Sequence, residues 1–311
     1  MAAKALHDGR LVAFPTETVY GLGADACNAD AVAGIFAAKQ RPSFNPLISH
    51  VADIETAFAM GRATSVAEHL AAAFWPGPMT LILGRKTGCP IARLTSAGLD
   101  RIALRVPGEA AARQLLEIFG GPVAAPSANP SGRISPTRAD HVMDGLFGLV
   151  DVVLDGGRCE SGVESTVIDC SDRTARILRP GGVTRGDIQA TFAGTDFRLD
   201  EVSASEGSDR PVSPGMLASH YAPKAGVAMN VGTAQEGMEF IGFGPVKGAG
   251  ALQLNLSRDG NLLEAAANLF DMLHAADATG TALIGVAPIP GTGLGEAIND
   301  RLRRAAAPRT P

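Results

Sequence analysis

Two rhythms of apolar and polar positions alternate through roughly the first 190 residues. Short aliphatic or alternating runs at Leu11–Phe14, Met79–Leu83, Arg101–Val106, Pro122–Ala125, Val150–Leu154, Val163–Asp169 and Ala175–Leu178 have the spacing of strands. Alanine-rich stretches between them carry helix-start signals: Asp30 ahead of a pattern reaching Lys39, Ser65 with Glu68, and the weaker pairs Thr137–Asp140 and Thr184–Asp187. Trp75-Pro76-Gly77-Pro78 stops the helix that begins at Ser65. The alternation predicts an α/β fold: a large twisted mixed sheet flanked by helices.

From about Phe197 to Arg210 the apolar period is lost and Ser, Asp, Glu and Gly dominate, which marks a solvated connection continuing to about Lys224. Beyond it, strand-like runs at Val227–Val231, Phe240–Phe243, Ala251–Leu256 and Ala282–Val286 surround a helical pattern over Asn261–Ala276. The expected organisation is an α/β domain over 1–196, a linker over 197–224 and a small Rossmann-like α/β domain over 225–311.

With 46% hydrophobic and 19% charged residues, 311 residues can bury a substantial core. A net charge of -5 gives no global basic field, so tight nonspecific adhesion to nucleic acid or anionic membrane is not implied, although a local basic groove is compatible with it. The four cysteines are too dispersed for a CxxC motif, no charged-then-apolar leader is visible, and no apolar run approaches the roughly 20 residues that span a bilayer. A soluble, cytoplasmic protein with reduced thiols is expected. The six histidines lack HExxH or paired ligand spacing, so no protein-held metal is expected.

Candidate chemistry collects at strand ends. Phe14-Pro15-Thr16-Glu17-Thr18-Val19-Tyr20-Gly21-Leu22-Gly23 leaves an apolar strand and presents hydroxyls, a carboxylate and a phenol; its Tyr20–Gly23 part reads as a supporting turn. Lys39 and Arg41 follow a helix and lead through Asn45 to His50. Cations there complement a helix dipole, or, as a point charge beside a planar fork, suit a polyphosphate. Alternation along the next strand places Arg101 and Arg105 on one face, which is either a solvated face or, if the sheet is covered, one where a guanidinium demands an anionic partner and Arg105 clamps a substrate carboxylate. Ser127, Asn129 and Ser135 belong to a hydroxyl-rich loop running to a helix start, and Arg179 ends a strand against Gly181-Gly182. No Cys or His is arranged as a nucleophile with its base. Gly291-Thr292-Gly293-Leu294-Gly295 departs from a dinucleotide loop in spacing, and Arg301, Arg303 and Arg304 read as a solvated helix face.

These motifs resemble the threonylcarbamoyl-AMP synthases in their two-domain form, nearly end to end: FPTETVYGLGADA at 14–26, KQRPSFNPL at 39–47, FWPGPMTLIL at 74–83, PSANPSG at 126–132, GVESTVID at 162–169, ILRPGG at 177–182 and SPGMLASHYAP at 213–223. The resemblance implies synthesis of L-threonylcarbamoyl-AMP from L-threonine, bicarbonate and ATP, with Mg2+ accompanying the triphosphate and pyrophosphate released. It also implies delivery of the product to a tRNA-threonylcarbamoyl transferase machinery that modifies the adenosine beside the anticodon, and leaves direct contact with tRNA open. It implies that 1–196 is the catalytic domain, that the 197–224 linker folds over its active site, that Thr18, His50, Arg105, Ala125 and Ser165 surround threonine, and that Arg41, Asn45, Arg101, Ser127, Asn129, Ser135, Arg179 and Tyr221 surround ATP. Lys39 and Arg41 are then the candidates for stabilising charge during transfer. The competing reading is a double-stranded RNA or tRNA-binding module without adenylation activity, against which the acidic net charge argues.

Overall fold

The structure, a computed structural model, describes residues 1–172, 174–200, 219–247, 250 and 252–308. The first 200 residues build one mixed sheet. Its strands are β1 (Val12–Phe14), β2 (Gly21–Asp25), β3 (Ile48–His50), β4 (Gly61–Arg62), β5 (Met79–Arg85), β6 (Arg101–Arg105), β7 (Val123–Ala124), β8 (Val152–Val153), β9 (Thr166–Asp169), β10 (Ala175–Arg179) and β11 (Leu199–Asp200). They lie in the order β11-β10-β9-β5-β6-β3-β7-β2-β1-β8, with β4 paired to β5. The run Met79–Gly84 is buried along its whole length, as a strand covered on both faces requires.

Helices α1 (Ala2–His7), α2 (Ala29–Lys39), α3 (Ile54–Met60), α4 (Ser65–Phe74), α5 (Ala110–Phe119), α6 (Ala139–Leu146) and α7 (Arg185–Phe192) accompany this sheet. Their caps refine the sequence reading. Thr184 and Asp187 form the expected capping box. Asn28 rather than Asp30 caps α2, Thr64 rather than Ser65 caps α4, and α6 starts after Arg138 without a side-chain cap. In α2 and α4 the residue outside the first turn, still extended, is the one free to accept from the helix.

Tyr20–Gly23 is not merely a turn: Gly21–Asp25 is a strand antiparallel to β1. A Cβ at Gly23 would lie 2.8 Å from Phe14 and 2.9 Å from Val123, so the glycine is there for close strand packing.

The second unit holds β12 (Gly226–Ala228), β13 (Glu239–Ile241) and β14 (Leu283–Val286) as a parallel sheet in the order β12-β14-β13, with α8 (Leu262–Ala278) and α9 (Leu294–Ala306). The strand expected over 251–256 is reduced to a bridge between Gly242 and Asn255, and residue 251 lies outside the described residues. Val19, Ile134 and Val163 from the first unit share a core with Phe270, Ile284 and Ile298 of the second. Gly162, at φ +65°, makes that contact possible, because a Cβ there would meet the α8 backbone at 2.4 Å. Arg138 closes the rim with a two-pronged pair to Asp271, at 2.7 and 2.9 Å.

Candidate active site

The ends of β1, β3, β6, β7 and β10 and the loop before β9 converge on a cavity of about 50 Å3. Space of that size holds a few waters. Thr18, His50, Arg105, Ala125 and Ser165 line one part; Arg41, Ser127, Arg179, His220 and Tyr221 line another, and Glu164 lies on the wall.

Arg105, at the end of β6, is 4% exposed. Its Nη2 donates to Glu17 Oε1 at 2.6 Å, its Nη1 to Thr18 Oγ1 at 3.0 Å and its Nε to Gly77 O at 3.3 Å. The anionic partner that alternation demanded is therefore Glu17, whose other oxygen accepts from the Gly108 amide at 2.9 Å. A guanidinium has five N–H donors, so one remains on each terminal nitrogen, in the fork that a carboxylate matches. Thr18 is held in turn by Thr16, 2.8 Å away.

Lys39 and Arg41 diverge because Gln40, at φ 51°, ends α2 in the left-handed region, with Gln40 N–H donating to Ala37 O and Arg41 N–H to Phe36 O. Lys39 turns under the 127–129 loop and donates to the carbonyls of Ser127, at 2.6 Å, and Asn129. Arg41 turns toward the cavity and donates to the carbonyls of Asn45 and Pro46. Among the described residues neither cation forms an ion pair with a carboxylate. Burial, reinforced by Arg41, pulls Lys39 well below the usual lysine range, and burial lowers Arg41 to about 10.

Burial, aided by Arg105, pushes His50 down to about 3, so its imidazole is neutral. Among the described residues its Nδ1 has no partner, and neither has His220 Nδ1 on the cavity wall, nor Asn129 Oδ1 and the two amide atoms of Asn45 behind it, all buried. Buried polar atoms in folded proteins are ordinarily paired, so this gathering is the signature of a ligand site. Ser165 donates to or accepts from Thr80 at 2.8 Å and receives Arg179 Nη2 at 3.2 Å.

The structure thus brings nine of the expected residues to the cavity: Thr18, Arg41, His50, Arg105, Ala125, Ser127, Ser165, Arg179 and Tyr221. Lys39, Asn45 and Asn129 stand behind them, and Ser135 reaches the wall through a 2.6 Å bond to Glu164. Arg101 must be corrected. It sits four residues up β6 from Arg105, roughly 13 Å along an extended strand. There it is exposed and paired with Asp169 at 2.7 Å. Arg301 must also be corrected: it is fully buried rather than solvated, its Nε 2.7 Å from Glu164 Oε2. Sequence reasoning gave Glu164 and His220 no role. Of the expected linker cover, 201–218 lie outside the described residues, while His220 and Tyr221 line the cavity.

An α/β sheet whose strand ends gather buried cations and hydroxyls, with no nucleophile–base pair at the cavity among the described residues, has the chemistry of a site for an anionic ligand. Residues 4–181 match the Sua5/YciO/YrdC family model described as "Telomere recombination", and residues 183–307 match "Threonylcarbamoyl-AMP synthase, C-terminal domain". The Bacillus subtilis threonylcarbamoyl-AMP synthase is 41% identical over 99% of this chain and 92% of its own length, and that of Pyrococcus abyssi is 38% identical over 99% and 94%. The crystal structure of P. abyssi Sua5 complexed with L-threonine superposes with a TM-score of 0.87, covering 98% of this chain and 93% of that one. The chain belongs to the threonylcarbamoyl-AMP synthase family and is an enzyme of that kind.

Proposed function

We propose that the cavity condenses L-threonine, bicarbonate and ATP into L-threonylcarbamoyl-AMP and pyrophosphate. The observation that carries the reading is the set of buried polar atoms without a partner among the described residues, gathered with Arg41, Arg105 and Arg179 about one cavity. The remaining N–H groups of Arg105 take the threonine carboxylate, and Thr18, His50 and Ser165 orient its amine and hydroxyl. Val19, Ile48 and Ala125 offer the methyl group an apolar contact. Neutral His50 accepts or donates without adding charge.

Bicarbonate breaks a C–O bond to give CO2 and hydroxide, the neutral threonine nitrogen attacks the CO2 carbon to form a C–N bond, and the proton it sheds leaves with that hydroxide as water. A carbamate oxygen then attacks the α-phosphorus while the bond to pyrophosphate breaks. Arg41 and Arg179 stabilise the charge on the phosphates, Asn45, Ser127 and Asn129 bind at their flank, and Lys39 keeps the 127–129 loop in place. Such a displacement needs alignment and fixed positive charge rather than a covalent intermediate. His220 and Tyr221 exclude water from a product that hydrolyses readily.

Glu164, the one carboxylate lining this cavity among the described residues, is already engaged by Ser135 and Arg301. The donor set therefore does not fit a protein-held metal, and Mg2+ belongs with the phosphates of ATP. The product passes, in the cytoplasm, to a machinery that transfers the threonylcarbamoyl group to tRNA.

The test is incorporation of 13C-bicarbonate, read by mass spectrometry. A labelled carbamoyl adenylate should form only when threonine, bicarbonate and ATP are all present. AMP formed equally well without threonine would contradict the reading.

A further inference from the structure

The second domain reaches the wall and the cover of the site together through Arg301. Arg301, on α9, donates from Nε to Glu164 Oε2 at 2.7 Å and from Nη1 to Asp300 Oδ2 at 2.7 Å. Its guanidinium carbon lies 5.2 Å from the centroid of the Tyr221 ring, whose stacking partner is Phe270 of α8 at 5.5 Å. Glu164 Oε1 accepts from Ser135 Oγ at 2.6 Å. One guanidinium therefore touches the cavity's wall and its cover. The grip extends further: Asp300 pairs with Arg304 at 3.1 Å, and the Arg304 carbonyl accepts from His220 N–H at 3.1 Å. Tyr221 needs such support, because at φ 62° it holds a left-handed conformation that a bulky residue adopts only when its surroundings impose it.

Burial makes this a costly choice of residue. A buried ion pair is commonly replaceable by apolar side chains of similar volume without loss of stability, so stability alone does not account for arginine here. Arrangement does. Without Arg301, Glu164 would be a buried carboxylate with Ser135 as its one side-chain hydrogen-bond partner among the described residues, and Tyr221 would lose the cation beside its ring.

We propose that Arg301 is a positioning residue for adenylation: it fixes Tyr221 and the Glu164–Ser135 pair in one arrangement, so that the C-terminal domain completes the nucleotide subsite. The inference rests on the functional reading above and assigns the second domain a part in catalysis.

The test uses full-length Arg301→Met and Arg301→Lys, with pyrophosphate release for kcat and KM, calorimetry for threonine binding without ATP, and thermal melting. Losing a desolvated cation–ring contact and a charged hydrogen bond predicts a fall in kcat/KM for ATP of about tenfold to a hundredfold in Arg301→Met. Threonine affinity should stay within about threefold, since Arg105 is untouched. Arg301→Lys, which keeps the charge but not the planar fork, should fall between, and Glu164→Gln placed on Arg301→Met should restore part of the loss by removing the uncompensated carboxylate. Wild-type kinetics in Arg301→Met, or equal losses for threonine and ATP, would overturn the proposal. If Arg301→Met does not fold, Arg301→Lys decides in the same way: a raised KM for ATP with unchanged melting supports it, and wild-type kinetics overturn it. A wild-type enzyme that releases no pyrophosphate with threonine and bicarbonate would instead overturn the functional reading.

Discussion

Arg105→Lys isolates what the guanidinium fork contributes. Three of the five Arg105 donors are committed, to Glu17, Thr18 and Gly77. The two that remain are those we assign to the threonine carboxylate. Lysine keeps the positive charge but offers only three donors from one nitrogen, so it cannot hold the three protein partners and still present a parallel pair. A hydrogen bond to a charged group is worth about 1.5–3 kcal/mol, and the retained charge offsets part of losing two. The net expectation is about one such bond, a weakening of threonine binding by roughly 10- to 150-fold. Calorimetric titration with threonine reads this directly, with an ATP analogue as the control ligand and the melting curve as the control for folding. A folded Arg105→Lys protein whose threonine Kd stays within about twofold of wild type would refute the assignment of the carboxylate to Arg105.

Arg179→Ala should do the reverse, raising KM for ATP more than for threonine in steady-state pyrophosphate release; matching losses from both arginines would mean the subsites are wrongly divided. Serine, lacking the methyl group, should be discriminated against by about 1–3 kcal/mol in kcat/KM, and equal use of the two amino acids would show that no apolar contact reads the methyl. A Cβ at Gly181 would lie 2.3 Å from Glu164 O and 2.4 Å from Ser165 C. Gly181→Ala should therefore destabilise the fold by about 1–3 kcal/mol in urea titration and displace Ser165, with loss of activity. Burial holds His50 at about 3 and His274 at about 4, below the ordinary 6.5. Between those values the unfolded chain binds more protons, so stability should fall as pH drops below about 6.5, by about 1.4 kcal/mol per unit for each histidine, and less steeply in His274→Gln.

Much of the site was legible because its parts are local. Thr18, Arg105, Ser127 and Arg179 each lie at or just past the end of a strand and Arg41 just past a helix, and a side chain at such an end projects toward whatever the sheet's edge of loops encloses. Distance along a strand was the limit in the case of Arg101, which shares a face with Arg105 but not an end. Arg301 was misread for another reason. Its partner, Glu164, is 137 positions away, and nothing local announces the contact. The available signal was periodicity: Ala297, Ile298, Leu302 and Ala305 are buried on α9, and Arg301 falls three or four positions from three of them, on the apolar stripe. Gly21–Asp25 escaped notice because its glycines, read as a turn, serve strand packing against Phe14 and Val123.

The most direct test of the central claim, that one cavity holds both substrates in adjacent subsites, is a crystal structure with threonine and a nonhydrolysable ATP analogue bound together. The threonine carboxylate should lie on Arg105 with its side chain between Thr18 and Ser165, and the phosphates on Arg41 and Arg179 beneath Tyr221. Phosphate density lodged instead in the groove beside Arg138 and His141, or threonine away from Arg105, would contradict it.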